Sequence, residues 1–173
     1  MRLFVAVQLS PDVKRALTQL QNRLREAGVS ARYVDPDNLH LTLAFIGEWP
    51  DDITPLLPRP EAPFSITLTH IGVFKRANVL WAGIAPSREL FDLAARVRTR
   101  LTAAGIPFDA GAFTPHITLA RKPILPGGAL PQIEIPPVGM TVDSVCLYWS
   151  HRIKDKLVYT VIGRSGICQE DDT

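Results

Sequence analysis

Asn38-Leu39-His40-Leu41-Thr42-Leu43-Ala44-Phe45-Ile46-Gly47 is a phrase that the chain says a second time, as Pro115-His116-Ile117-Thr118-Leu119-Ala120-Arg121. The shared core, His, an aliphatic residue, Thr, Leu and Ala, recurs 76 positions later. Side chains alternate across an extended strand, so the His and Thr of each copy share one face, and the aliphatic residues take the other. A strand of this kind puts an apolar side into a core and a His/Thr side onto a polar cleft. Two such strands bring two imidazoles and two hydroxyls toward one small anionic centre.

Working outward from the two phrases, the residues before them also match. Leu3 to Leu9 reads as a short buried strand, and Val79 to Ala85 as its counterpart. Ser10 and Ser87 are N-cap candidates; Pro11 fits a first helical turn, whereas Pro86 lies just before its serine. Val13, Ala16, Leu17, Leu20 and Leu24 form one helical face, and Leu90, Leu93, Ala94, Val97 and Leu101 repeat its spacing. Gly28 and Gly105 follow as C-cap candidates. The order strand, capped helix, glycine, loop and His-x-Thr strand therefore occurs twice, which reads as an internal duplication with a pseudo-two-fold axis.

The remainder is punctuation and strands. Five prolines between residues 50 and 63 mark a connection, and Phe64 to Phe74 alternates apolar and polar residues as a half-exposed strand. Lys122 to Gly139 is a Pro/Gly-rich surface loop. Met140 to Ser150 and Leu157 to Gly163 form a closing hairpin across a charged turn, and Gln169 to Thr173 is an acidic tail expected to fray. The expectation is one α+β domain spanning residues 1–173. It has two pseudo-symmetric lobes, each a mainly antiparallel sheet with a packed helix, and the His/Thr faces line the groove between them.

Composition narrows the function classes. Of 173 residues, 46% are apolar and 21% charged, the balance of a soluble globular protein. A net charge of +2 sets up no global field for nucleic acid, so such a partner needs a local patch. Cys146 and Cys168 are too few for a disulfide framework or a metal knuckle and read as unpaired thiols. The N-terminus lacks a signal-peptide core, and no window approaches a membrane span, so the chain is expected to be cytoplasmic.

Two histidines at one site can move two protons near neutral pH, one accepting as the other donates. Thr42 and Thr118 can donate hydrogen bonds to phosphoryl oxygens. Arg121 offers a planar guanidinium to a phosphate, although strict alternation points it away from His116 unless the strand twists, bulges or ends there. Zinc binding is disfavoured, since two histidines without a Cys, Asp or Glu on the same face fall short of three or four ligands. No serine elbow, phosphate loop or dinucleotide fingerprint is present. His70 and His151 lack a Thr partner and read as structural or surface residues; Arg96 and Arg100 read as solvated.

The paired phrases, with "NLHLTLAFIG" and "FTPHITLAR" around them, resemble the two-histidine (2H) phosphoesterase superfamily, in particular its RNA 2',3'-cyclic phosphodiesterase branch, also called 2'-5' RNA ligase or LigT-like. Tyr33 departs from the tryptophan expected there in many relatives. The resemblance implies metal-independent hydrolysis of an RNA 2',3'-cyclic phosphate to a 2'-phosphate, without a cofactor. It casts His40 as proton donor and His116 as proton acceptor, with Thr42, Thr118 and Arg121 on the phosphate. The sequence equally allows the two histidines to exchange roles. Phe45, which occupies in the first copy the position of Arg121, is a candidate for stacking on a base. The expected partners are RNA with cyclic-phosphate ends or small cyclic nucleotides, met by a monomer. The competing expectations are a non-catalytic module that binds RNA ends, and a phosphodiesterase of another small cyclic phosphodiester.

Overall fold

The computed structural model describes residues 1–165, so Cys168 and the acidic tail lie outside the described residues. In chain order the elements are β1 (Arg2–Gln8), α1 (Pro11–Glu26), β2 (Ser30–Tyr33), β3 (His40–Glu48), β4 (Phe64–Phe74), β5 (Val79–Ile84), α2 (Arg88–Ala103), β6 (His116–Ile124), β7 (Gly139–Val142), β8 (Val145–Ile153) and β9 (Lys156–Ser165).

The two helices are built by the same local chemistry. Ser10 and Ser87 each accept, through their hydroxyls, the backbone N–H three residues on, at 3.3 and 3.1 Å. Both helices end alike. Gly28 and Gly105 turn into the left-handed region, at φ +91° and +71°, which a residue without Cβ enters freely. The N–H of Val29 then donates back to Leu24 O, and that of Ile106 to Leu101 O, closing the same C-terminal motif in both copies. The buried faces follow the predicted spacing, with Leu90, Leu93, Ala94, Val97 and Leu101 on α2 and Val13, Leu17, Leu20 and Leu24 on α1, where Gln21 is buried with them and Ala16 only half-buried.

All strand pairings are antiparallel. One sheet has the order β3-β1-β8-β9 and the other β2-β6-β5-β4-β7. The α+β class with two sheets is therefore as expected, but the lobes are not the two halves of the chain. The first sheet joins the N-terminal β1 and β3 to the C-terminal β8 and β9, and β2 leaves the first copy to pair with β6. The run Met140 to Ser150, expected as one strand, is two strands in different sheets. Met140 pairs with Ile66 of β4, and β8 pairs with β1. Ser144, in the short break between them, is buried.

The helices cross over too. Gln21 on α1 donates from Nε2 to Leu119 O of β6 and to Val34 O, at 3.0 and 2.9 Å. Arg98 on α2, the matching residue of the second copy, donates to Leu43 O of β3 and to Gly111 O, at 3.2 and 2.7 Å. Each helix thus fastens the His-x-Thr strand of the other copy through a backbone carbonyl, Leu119 O also accepting the N–H of Val34. Leu3, Val5 and Val7 of β1, Leu41 and Leu43 of β3, Leu80 and Ala82 of β5, and Ile117 and Leu119 of β6 meet both helices in one apolar cluster. The opposite face of the first sheet carries a second, smaller cluster of Phe4, Ala6, Cys146 and Tyr148.

Candidate active site

Two bulges decide which side chains face the groove. Along β1 and β3, Ala6 lies opposite Thr42 and Val5 opposite Ala44, so Leu43 is an extra residue. Phe4 then stands opposite Phe45. Along β5 and β6, Trp81 lies opposite Thr118 and Leu80 opposite Ala120, making Leu119 the extra residue and placing Val79 opposite Arg121. Leu43 and Ala44, like Leu119 and Ala120, are consecutive buried residues, and the residue after each pair is exposed. Residues directly opposite in a ladder share a face. Arg121 therefore lies on the His116/Thr118 face, and Phe45 on the His40/Thr42 face. Alternation alone sends Arg121 the other way; the bulge returns it.

The two imidazoles are held identically. His40 Nδ1 lies 2.7 Å from Asn38 O, and His116 Nδ1 lies 2.7 Å from Thr114 O. A carbonyl oxygen only accepts, so Nδ1 is the protonated nitrogen of each ring, and Nε2 is left for chemistry. Asn38 itself is buried and pinned to β9, giving its Nδ2 hydrogen to Leu157 O and accepting from the N–H of Tyr159. The carbonyl that orients His40 is thus part of a rigid corner.

Their surroundings differ. The His40 ring meets Phe4 at 4.6 Å between centroids, Tyr159 edge-on at 5.2 Å and Tyr148 at 6.1 Å. Burial against these rings disfavours the imidazolium and pushes His40 down to about 4. The hydrogen bond to Asn38 O opposes the shift, while the positive charges of His116, Arg121 and Lys14 add to it. Strands β3 and β6 lie against each other, so His116 and Arg121, from the other sheet, face the first imidazole at short range. His116 meets Phe74 edge-on at 5.0 Å, and Phe74 leans on Trp81, also at 5.0 Å. Trp81 lies flat over Gly72, where a Cβ would overlap the indole. Its buried Nε1 has no hydrogen-bond partner among the described residues.

The structure thus brings together His40, His116 and Arg121 and sets Thr42 and Thr118 beside the histidines on the same faces. Phe45 is on the groove face, 38% exposed, with the Arg2 guanidinium 5.2 Å from its ring centre. Absent from the sequence reading are the aromatic walls, Phe4, Tyr148 and Tyr159 on one side and Phe74 and Trp81 on the other. They come from strands far apart in the chain, and no local pattern marks them. Lys14, on the first turns of α1, was also missed. His151 stacks on Trp149 at 3.7 Å and shares a hydrogen with Thr160 Oγ1, a structural arrangement. His70 is exposed, bonded to Thr69 Oγ1 and set against the Trp81 ring. Among the described residues no three His, Cys, Asp or Glu side chains gather into a metal-binding group. No helix among them is long and apolar enough to cross a membrane.

Comparison with known proteins supplies an independent line. The model of the 2'-5' RNA ligase superfamily matches residues 34–154, which contain both His-x-Thr phrases. The chain is 33% identical to the RNA 2',3'-cyclic phosphodiesterase of Escherichia coli K12, covering 97% of each protein. It is 30% identical to the enzyme of that name from Thermotoga maritima, over 94% of this chain and 93% of that one. The crystal structure of E. coli LigT complexed with 3'-AMP superposes with a TM-score of 0.78 at 31% identity, covering 97% of this chain and 98% of the other.

Proposed function

The chain belongs to the 2'-5' RNA ligase superfamily, and from that premise we propose that it hydrolyses RNA 2',3'-cyclic phosphate ends to 2'-phosphates with His40 and His116 as its acid-base pair. The observation that carries the reading is the matched pair of imidazoles. Each has Nδ1 fixed by a carbonyl and Nε2 free, with a threonine two residues on along the same face. Near-full-length similarity to enzymes named RNA 2',3'-cyclic phosphodiesterase supports the choice of substrate.

In this reading water attacks phosphorus in line with the bond to the ribose 3'-oxygen. His116 Nε2 takes the proton that water gives up, the new P–O bond forms as the P–O3' bond breaks, and His40 Nε2–H protonates the departing 3'-oxygen. The hydroxyls of Thr42 and Thr118 donate to the two non-bridging oxygens, and the Arg121 guanidinium offsets their charge. His40 is neutral in the free protein at pH 7. His40 therefore takes up its proton from solvent as the substrate binds, the anionic phosphate countering the positive charges of Arg121 and Lys14. Phe45 is proposed to stack on a base. With a 5'-hydroxyl attacking in place of water, the same proton transfers form a P–O5' bond as the P–O3' bond breaks and join the two ends by a 2'-5' linkage.

The depressed His40 favours a second assignment of the same pair, in which His40 accepts and His116 donates. Both assignments predict one outcome in the primary test. An oligoribonucleotide with a 2',3'-cyclic phosphate, incubated with excess chelator, is converted to the 2'-phosphate, and His40→Ala and His116→Ala each lower turnover by at least about a thousandfold. A 3'-phosphate product, loss of activity on chelation, or full activity of either variant refutes the proposal.

A further inference from the structure

Arg32 stands directly opposite Arg121 across the β2–β6 ladder. The two guanidiniums therefore share the groove face, with Arg121 beside the His116/Thr118 centre and Arg32 one strand further out. Like charges set opposite each other in a sheet are destabilising. Neither arginine has a carboxylate or hydrogen-bond partner among the described residues. Lys122, next in the chain, is exposed and bent into the left-handed region at φ +51°, its N–H bonded to Asn78 O. The result is a concentration of positive charge at one edge of the groove in a chain whose net charge is only +2. Strand β2 is the element that leaves its own copy to reach this edge. The like-charged pair exists only because of that exchange.

We infer that Arg32, one strand outward from Arg121, forms a second anion site that holds the phosphate on the 5' side of the cyclised nucleotide. The inference rests on the reaction proposed above. A nucleotide that ends in a 2',3'-cyclic phosphate is the last of its strand, so its one neighbouring phosphate lies on the 5' side. The two non-bridging oxygens of the cyclic phosphate already have Thr42, Thr118 and Arg121 to receive. An arginine one strand spacing outward, about 4.8 Å away, is placed for the next phosphate along. A planar guanidinium suits that role by offering two parallel donors to one phosphate. The site thus favours RNA ends and 5'-phosphorylated nucleotides over free cyclic nucleosides.

Three ligands that share one cyclised nucleotide test this: the 2',3'-cyclic mononucleotide with a 5'-hydroxyl, the same with a 5'-monophosphate, and a dinucleotide whose 5' phosphate is a diester. In the wild-type protein kcat/KM is expected to be higher for the second and third than for the first. Arg32→Gln is expected to reduce that ratio about tenfold, Arg32→Lys less, and the salt dependence of dinucleotide binding to fall by about one charge. Relief of the repulsion should leave the Tm of Arg32→Gln equal to or above that of the wild type. A loss confined to the dinucleotide assigns the site to RNA strands, and a loss shared with the 5'-monophosphate assigns it to any 5' phosphate. A wild-type ratio near one, a ratio unmoved by Arg32→Gln, or an equal loss on all three ligands with a lowered Tm overturns the inference. If the wild-type protein turns over none of the three, the reaction reading fails instead, and the same ratios measured as Kd by calorimetry still decide the role of Arg32.

Discussion

The imidazole of His40 is packed among Phe4, Tyr148 and Tyr159, whereas that of His116 meets Phe74 near the groove. Two residues with the same local sequence and the same kind of carbonyl partner therefore sit in different surroundings, and two measurements follow. An aryl phosphodiester releases a phenolate that needs no proton, so removal of the donor is nearly harmless with it, while removal of the acceptor is not. With His40 as donor, His40→Ala should retain most of its activity toward such a diester and His116→Ala little; the opposite result establishes the exchanged roles. The second concerns stability. An unfolded histidine titrates near ~6.5, whereas burial holds folded His40 at about 4. Between these values the unfolded chain binds the extra proton, so this contribution is present above the upper value and is lost as pH falls through the window. Urea midpoints at pH 7 and pH 5 should differ more in the wild type than in His40→Gln. Little of this asymmetry is legible in the two phrases, because the rings that create it lie at positions 4, 148 and 159.

At the scale of elements, the duplication was readable because caps, helical spacing and terminal glycines are local signals, and all of them recur in the structure. The bulges were not. Nothing in Leu-Ala announces an extra residue, and strict alternation points Arg121 away from His116 unless such an irregularity intervenes. Deletion of Leu119 tests the point. A β6 with strict alternation turns Arg121 toward the core, so the variant should lose cyclic-phosphate turnover by about a hundredfold or more, as Arg121→Ala does, since both withdraw one charge-stabilising group. Because the deletion also drives a guanidinium against apolar neighbours, it should be less stable than Arg121→Ala by urea unfolding. Activity retained in the deletion variant would show that the bulge does not set the face.

At the scale of the whole molecule, the sequence repeats in order but the structure does not assemble in order. Each sheet takes strands from both ends or both copies, and each helix is tied to the strand of the other copy through Gln21 or Arg98. Such pairings are non-local, which is why the lobes could be foreseen but their membership could not, and why Met140 to Ser150 looked like a single strand. One apolar cluster runs through both sheets. Unfolding in urea should accordingly be a single transition, with far-UV circular dichroism and tryptophan fluorescence coincident; separate midpoints would indicate lobes that melt independently. The exchange also bears on synthesis. The first sheet joins β1 and β3 to β8 and β9, which are made well after both His-x-Thr phrases, and Tyr159 on β9 completes the wall around His40. A nascent or prematurely terminated chain therefore carries both histidines long before it owns a groove, and an unfinished copy translated near cellular RNA has no assembled centre with which to act on it.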